Sequence, residues 1–167
     1  MKQQVAPFGD GTVVLRLMEE RDLETILGWR NRDDVRVWFK TSDKITFTGH
    51  VAWYNSYLQK EDDYFFMVEA DGKSVGQCAI YGVDIEAGSA EIGRFIVAPG
   101  MAGKGYISHS CAELMKFGTG VLNLSYLFLE VLERNEKAIR LYARRGFVEE
   151  SRSGGLVRMG FAQGGGA

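Results

Sequence analysis

Apolar and polar residues alternate along the chain with two different periods, which together predict a mixture of helices and strands. Runs rich in β-branched and aromatic residues predict strands at residues 12–18, 64–70, 74–85, 90–97, 125–132, 147–150 and 155–161. Apolar residues three to four positions apart predict helices at residues 19–31, 50–59, 104–117 and 136–145, with a short helix or turn at 33–39. The order of these elements predicts one α+β domain with a mixed sheet.

Turn and capping residues place the ends of several of these elements. Asp71-Gly72 is a strong hairpin signal, so the three strands around and after it are expected to form an antiparallel meander. Thr48 or Gly49 is expected to cap the second helix, and Asn135 the last one. Gly146 is expected to end that last helix.

The two ends of the chain lack such patterns. Residues 1–11 show no periodicity and are expected to form a loose lead-in. Residues 162–167 are rich in glycine and are expected to form a flexible tail. The domain is therefore predicted to span residues 12–161.

Composition narrows the class of protein. The chain has 167 residues, 46% hydrophobic and 25% charged, which is typical of one globular domain. The net charge of −2 gives no overall basic field, so no nucleic-acid partner is expected. No apolar run approaches the ~20 residues of a membrane span, and the N-terminus lacks the apolar core of a signal peptide. We therefore expect a cytoplasmic protein without a membrane partner.

The two cysteines do not indicate a metal site. Cys78 and Cys111 lie far apart in apolar segments, without the paired Cys and His spacing of a zinc site. Both are expected to be buried free thiols, and no metal is expected.

Residues 91–106, which read EIGRFIVAPGMAGKGY, predict a binding site for phosphate groups. An apolar strand runs into a turn that contains Gly100, Gly103 and Gly105, and a helix follows. The unpaired backbone N–H groups at such a helix start, together with the helix dipole, attract anions. A Walker A loop needs Ser or Thr after its lysine, and a dinucleotide loop opens a βαβ unit, so neither class fits this turn.

Two motifs and the order of the elements resemble the GNAT (Gcn5-related N-acetyltransferase) superfamily. Residues 129–147 read LEVLERNEKAIRLYARRGF, similar to the family motif V-x-x-x-N-x-x-A-x-x-x-Y-x-x-x-G-F, with Asn135 and Tyr142 in place. The glycine turn resembles the acetyl-CoA motif Q/R-x-x-G-x-G/A, but Ala102 and Ile107 stand at its first and last positions. The wording GKGYIS, like Trp29-Arg30-Asn31, resembles the RimJ/RimL-like branch.

This resemblance implies a mostly antiparallel sheet flanked by helices and splayed between its fourth and fifth strands, at residues 90–97 and 125–132. Acetyl-CoA is then the co-substrate, and its thioester is expected to lie in the gap between these two splayed strands. The coenzyme-binding residues implied are Phe95, Ile96, Val97, Ala102, Gly103, Lys104, Gly105, Tyr106, Ile107, Asn135, Lys137 and Tyr142. Lys104, Lys137 and Arg145 are either phosphate contacts or solvated charges, and Asn135 suits both a helix cap and a coenzyme contact.

Acetyl transfer from a thioester to an amine needs a base for the amine and a proton for the departing thiolate. Tyr142 is the predicted proton donor, with a buried core tyrosine as the alternative. Glu91 is the predicted base, and an exposed acid at a strand edge is the alternative. His50 and ordered water are other candidates for the base, whereas His109 is expected to have a surface or packing role.

The acceptor is expected to be a small molecule with a primary amine. The residues implied for its binding are Trp29, Arg30, Asn31, His50, Trp53 and Glu91. The aromatic residues Trp29, Trp38, Phe39, Trp53 and Tyr54 are either core or the floor of a pocket for a sugar or a base. The pattern W-R-N followed by F-x-x-H-x-x-W resembles acetyltransferases of nucleotide-linked amino sugars, which gives our first hypothesis.

Three other hypotheses remain open at this point. In the first, the acceptor is the N-terminus of a protein, as in acetyltransferases of ribosomal proteins. In the second, the domain senses acetyl-CoA without catalysis. In the third, the Ile107 side chain prevents the coenzyme from binding. The chain is expected to be a monomer or a homodimer.

Overall fold

The computed structural model describes residues 2–164, which form one eight-stranded mixed sheet with helices on both faces. The strands are β1 Phe8–Gly9, β2 Val14–Leu17, β3 Asp63–Ala70, β4 Lys73–Asp84, β5 Ser89–Val97, β6 Tyr126–Leu132, β7 Val148–Ser153 and β8 Leu156–Ala162. The helices are α1 Leu23–Arg30, α2 Asp33–Arg36, α3 Phe47–Leu58, α4 Tyr106–Lys116 and α5 Glu136–Arg144. A 3₁₀ turn, Glu20–Asp22, leads into α1, and a π-helical turn, Phe117–Val121, follows α4.

The strand order β1-β2-β3-β4-β5-β6-β8-β7 confirms the α+β class. Every neighbouring pair is antiparallel except β5 and β6, which run parallel. Side chains of successive strand residues point to opposite faces, so the sheet has a core on each side. Leu114 of α4 is buried in one core and Trp29 of α1 in the other.

The parallel pair β5 and β6 opens into a fork after three residue pairs. Pairing runs from Ser89 opposite Tyr126 to Glu91 opposite Phe128 and then stops. In β5 the residues next to Arg94 form a bulge against β4, and Arg94 has a φ of 58°. Because a bulge adds a residue and bends its strand, β5 turns away from β6 here. The predicted splay is confirmed, and it leaves the β6-facing backbone groups of the second half of β5 unpaired.

Several predicted boundaries were wrong for local reasons. The lead-in contains the strand β1, because Phe8 pairs with Leu15. The cap of α3 is Thr46, whose side chain accepts a hydrogen bond from the Gly49 backbone, rather than Thr48 or Gly49. Helix α4 begins after Lys104, since Gly105 is its cap.

The predicted tail begins too early, because residue 162 belongs to β8; positions 165–167 lie outside the described residues. Within residues 2–164 no helix is long and apolar enough to cross a membrane, and no group of three or more His, Cys, Asp or Glu residues is placed to hold a metal ion.

Candidate active site

The glycine turn presents its backbone at the start of α4. Gly100, Gly103 and Gly105 have φ angles of 78°, 80° and 79°, which L side chains rarely adopt, so the turn needs glycine at these positions. No atom lies within 4 Å of where a Cβ would stand at Gly100 or Gly103, so the surrounding space is open. The N-cap residue of α4 is Gly105, which has no side chain to cap the first turn. The free N–H groups and the helix dipole therefore suit a pyrophosphate.

Helix α5 faces this turn across a cavity of about 560 Å³, here called the loop cavity. The Asn135 side chain caps α5 by accepting a hydrogen bond from the Ala138 N–H at 3.3 Å. The cap places Lys137 and Tyr142 of α5 on the cavity wall opposite Phe95 and its neighbours in β5. A smaller cavity of about 270 Å³ adjoins it on the glycine side.

Most of the residues implied for the coenzyme line these two cavities: Phe95, Ile96, Val97, Ala102, Gly103, Gly105, Tyr106, Ile107, Asn135, Lys137 and Tyr142. Lys104 does not, because its exposed side chain leaves the turn toward solvent. Sequence reasoning missed Arg32, Arg134 and Arg140, which line the loop cavity. The position of Arg32 next to Asn31 and of Arg134 next to Asn135 was the available signal. Two of these arginines have carboxylate partners on the same wall, Arg32 with Asp34 at 2.8 Å and Arg140 with Glu136 at 3.9 Å.

A second cavity of about 330 Å³, the fork cavity, lies where β5 and β6 part. Tyr142 lines both the loop cavity and the fork cavity, so this residue lies where the two cavities meet. Its ring packs against Phe95 and Phe147, with ring centroids 5.7 and 6.3 Å away. Burial raises the pKa of the Tyr142 phenol well above its usual value of about 10, so the phenol keeps its proton at neutral pH.

Glu91, the last residue of β5 that pairs with β6, also lines the fork cavity. The Tyr81 hydroxyl donates a hydrogen bond to the Glu91 carboxylate at 3.1 Å. The Arg94 guanidinium lies 4.1 Å from the centre of the Tyr81 ring and pairs with Asp63 at 2.9 Å. Burial and the neighbouring Glu91 charge raise the pKa of Tyr81, so this residue remains a hydrogen-bond donor and holds the carboxylate in place.

A third cavity of about 280 Å³, the aromatic cavity, lies between α1, α3 and the sheet. His50 and Trp53 line it with their rings stacked 5.5 Å apart. Burial lowers the pKa of His50, while a contact with the Leu23 backbone carbonyl acts in the opposite direction. Arg30, Phe39 and Arg94 line both this cavity and the fork cavity, so the two are neighbours.

The structure does not bring Trp29 or Asn31 to any of these cavities. The Trp29 side chain is buried in the core under α1. The Asn31 amide bonds both backbone groups of Ile45, at 2.7 and 2.8 Å, and so braces the loop before α3. Tyr54 is a core residue as well, whereas Trp38 and Phe39 line the loop cavity.

Two other predicted polar residues have local partners. His109 pairs with Asp10 through Nδ1 at 2.7 Å, in agreement with a surface role. Arg145 donates to the Ser108 hydroxyl at 2.6 Å and lines neither the loop cavity nor the smaller cavity beside it.

Comparisons with known proteins give the family. A family model described as an acetyltransferase (GNAT) domain matches residues 12–148. Spermidine N(1)-acetyltransferase of Escherichia coli (strain K12) is 31% identical over 140 residues, which cover 83% of this chain and 74% of that protein. The protein of the same name from Vibrio cholerae is 30% identical over 154 residues, or 91% of this chain and 86% of that one.

A solved structure agrees with these relatives. The crystal structure of spermidine N-acetyltransferase from Vibrio cholerae in complex with CoA and spermine has a TM-score of 0.84 and 26% identity, covering 92% of this chain and 97% of that one. Assignment to the RimJ/RimL-like branch stays a prediction. The chain belongs to the GNAT acetyltransferase family and is an N-acetyltransferase whose co-substrate is acetyl-CoA.

Proposed function

We propose that this enzyme transfers the acetyl group directly to the primary amine of a nucleotide-linked amino sugar or another small amine that is not a polycation. The observation that carries the proposal is the charge of the fork cavity. Its lining includes the cations Arg30, Lys40 and Arg94 and the two carboxylates Glu91 and Glu130, and Arg94 pairs with the Asp63 carboxylate at 2.9 Å. Lys40 pairs with Glu130 at 2.9 Å, so Glu91 is the one carboxylate there without a cationic partner within residues 2–164.

The proposed chemistry uses two side chains of the fork cavity, Glu91 and Tyr142. Glu91 takes one proton from the ammonium form of the acceptor and releases it to solvent, and the neutral nitrogen forms the C–N bond as the C–S bond of the thioester breaks. The second proton leaves the nitrogen to solvent. Tyr142 gives its proton to the departing thiolate and regains one from solvent afterwards. The raised pKa of Tyr142 supports this role, because a donor must still hold its proton when the thiolate forms.

Acetyl-CoA fits the loop cavity through its backbone rather than through particular side chains. The first turn of α4 suits the pyrophosphate, and the edge of Phe95–Val97 that faces β6, where strand pairing has stopped, suits the amides of the pantetheine arm. Ile107 lines the cavity without closing it, because about 560 Å³ remains open beside it.

Spermidine is the second candidate acceptor, and the identity with spermidine N(1)-acetyltransferases favours it. A triamine carries two further ammonium groups, which need acidic partners or solvent. The aromatic cavity next to the fork has no Asp or Glu in its lining. Arg30 lines both cavities and has no carboxylate partner within residues 2–164, so this pair of cavities favours an amine on a neutral or anionic scaffold.

The test is a steady-state measurement of thiol release from acetyl-CoA with three acceptors: an amino-sugar nucleotide, spermidine and a peptide with a free N-terminus. We expect the amino-sugar nucleotide to give the highest kcat/KM. Thiol release with the peptide but not with any amino-sugar nucleotide would falsify the proposal. A higher kcat/KM for spermidine replaces the first candidate with the second.

A further inference from the structure

Three buried polar side-chain atoms lack a hydrogen-bond partner within residues 2–164, and all three belong to residues that line the aromatic cavity. They are Arg30 Nη1, His50 Nε2 and Gln77 Oε1. Roughly nine in ten buried polar groups in proteins are paired, so each unpaired one calls for an explanation. Three of them on one cavity indicate a place built for a polar ligand.

Gln77 presents a fixed acceptor. Its side chain is only 3% exposed, and its Nε2 donates to the Arg94 backbone carbonyl at 3.0 Å. Oε1 of the amide has no hydrogen to donate to a carbonyl, so the bond to Arg94 fixes which end of the Gln77 amide is the nitrogen. Oε1 is left as a buried acceptor without a partner within residues 2–164, on a residue that lines the cavity.

His50 presents a second acceptor. The residue is 5% exposed, and burial lowers its pKa, so the ring is neutral at pH 7. A neutral ring that directs its Nδ1–H toward the Leu23 carbonyl carries its lone pair on Nε2. Trp53 stacks on this ring and keeps it in place.

Arg30 presents the donor. Its Nη2 donates to the Thr41 backbone carbonyl, and its guanidinium lies 4.3 Å from the centre of the Phe39 ring. These contacts orient the group, while Nη1 has no partner and no carboxylate pairs with the guanidinium within the described part of the chain. An acceptor atom on a ligand would satisfy it.

The size and walls of the cavity limit the ligand further. About 280 Å³ lies just under the range of roughly 300–1,000 Å³ that holds drug-sized ligands, so it suits one ring-sized group. Trp53, Phe39 and Phe65 provide flat aromatic walls. A planar group fits such walls better than a flexible chain.

We propose that the aromatic cavity binds an amide-type edge of the acceptor, in which a C=O accepts from Arg30 and an adjacent N–H donates to Gln77 or His50. This inference rests on the proposed function, since the amine of the same molecule lies in the neighbouring fork cavity. The edge occurs in a nucleobase and in an N-acyl sugar, and both sources present the same chemistry to the three residues.

Calorimetry on the full chain with uridine, N-acetylglucosamine and spermidine tests the proposal. We expect uridine or N-acetylglucosamine to bind with a Kd of about 10 mM or lower, as suits a fragment of this size. Gln77→Met and Arg30→Met are expected to weaken that binding about fivefold or more. Gln59→Met, an exposed position in the same region, is the matched control and leaves the Kd unchanged.

Ligand controls separate the two sources. If uridine binds, N3-methyluridine must bind more weakly, since it lacks the N–H donor; if N-acetylglucosamine binds, glucose must bind more weakly. No binding of either amide probe, tighter binding of spermidine, or unchanged binding by both Met variants overturns the inference. Melting curves of both variants exclude misfolding, and either folded variant suffices.

Thiol release from acetyl-CoA is measured on the same samples. Probe binding without any turnover supports the cavity assignment and refutes the proposed reaction. Turnover without probe binding supports the proposed reaction and refutes the cavity assignment.

Discussion

The loop cavity and the aromatic cavity lie on two sides of the fork and are built in different ways. The loop cavity is lined by backbone, by glycines with positive φ and by cations that solvent reaches. The aromatic cavity is lined by buried side chains, three of which leave a polar atom unpaired. The first suits the pyrophosphate of a coenzyme, whereas the second suits a ligand with its own pattern of donors and acceptors.

This difference predicts which substitutions should change coenzyme binding and which should change the choice of acceptor. Backbone N–H groups bind a pyrophosphate whatever the side chains are, which explains why Ala102 and Ile107 are compatible with a coenzyme site. Buried side chains select a ligand by its pattern of donors and acceptors, and each unpaired atom penalises the wrong ligand.

The largest effect is expected at the junction of the two sides, in Tyr142→Phe. Without the phenolic proton, kcat should fall about 100-fold, while the Kd for acetyl-CoA changes little. Since burial holds the Tyr142 pKa far above 10, the ratio between wild type and variant should stay constant from about pH 6 to about pH 9.

Tyr126→Phe is the matched control, because Tyr126 lines neither the loop cavity nor the fork cavity. It lies on β6, and its hydroxyl donates a hydrogen bond to Glu150. A Tyr142→Phe enzyme with unchanged kcat contradicts the assignment of the donor.

Glu91→Gln should lower kcat/KM about 30-fold near neutral pH, because the amine then loses its base. The deficit should shrink as the pH rises toward the pKa of the acceptor amine, because the amine is then already neutral in solution. Parallel pH profiles of the two enzymes, with a constant ratio, would show that Glu91 is not the base.

Gly105→Ala sharpens the comparison on the coenzyme side. A side chain at a φ of 79° is strained, so the backbone at residue 105 should change conformation. This change should move the N–H groups at the start of α4 and raise the KM for acetyl-CoA about tenfold. Gly72→Ala carries the same strain at a φ of 76° in the β3–β4 hairpin. Both variants should lose similar thermal stability, but only Gly105→Ala should change the KM; an equal KM change in both contradicts the backbone site.

Lys137→Ala should have the smallest effect, a rise of about three- to fivefold in the KM for acetyl-CoA. One partly solvated cation contributes about 1 kcal/mol to a phosphate contact, and added salt should reduce the difference. Lys104→Ala is the comparison, because Lys104 leaves the turn toward solvent and should change the KM little. A larger rise in KM for Lys104→Ala than for Lys137→Ala would contradict the assignment of Lys137 as the phosphate contact.

The fold and the coenzyme side were predictable because their signals are local. The glycines of the turn, the Asn135 cap and Tyr142 two helical turns later all lie within short segments whose backbone geometry the sequence dictates. The splay was expected from the family resemblance, whereas its physical origin, the bulge at Arg94, was not visible. A non-glycine residue with positive φ leaves no mark in sequence.

The lining of the aromatic cavity was predicted only in part, since it depends on long-range contacts. Residues adjacent in a helix point about 100° apart, so of Trp29, Arg30 and Asn31 only Arg30 reaches a cavity. Gln77 was missed, although a lone amide within the apolar run SVGQCAIYGV was a usable signal. Its role follows only from the fold, which brings β4 beside α3 and the bulge of β5.

The most direct test of the two-sided site is an NMR spectrum of the three tryptophan indole N–H groups. Trp38 lines the loop and fork cavities, Trp53 lines the aromatic cavity, and Trp29 is buried in the core. Acetyl-CoA should shift the Trp38 resonance and leave Trp53 in place, and an acceptor probe should then shift Trp53. A coenzyme that shifts Trp53 but not Trp38 would contradict the account.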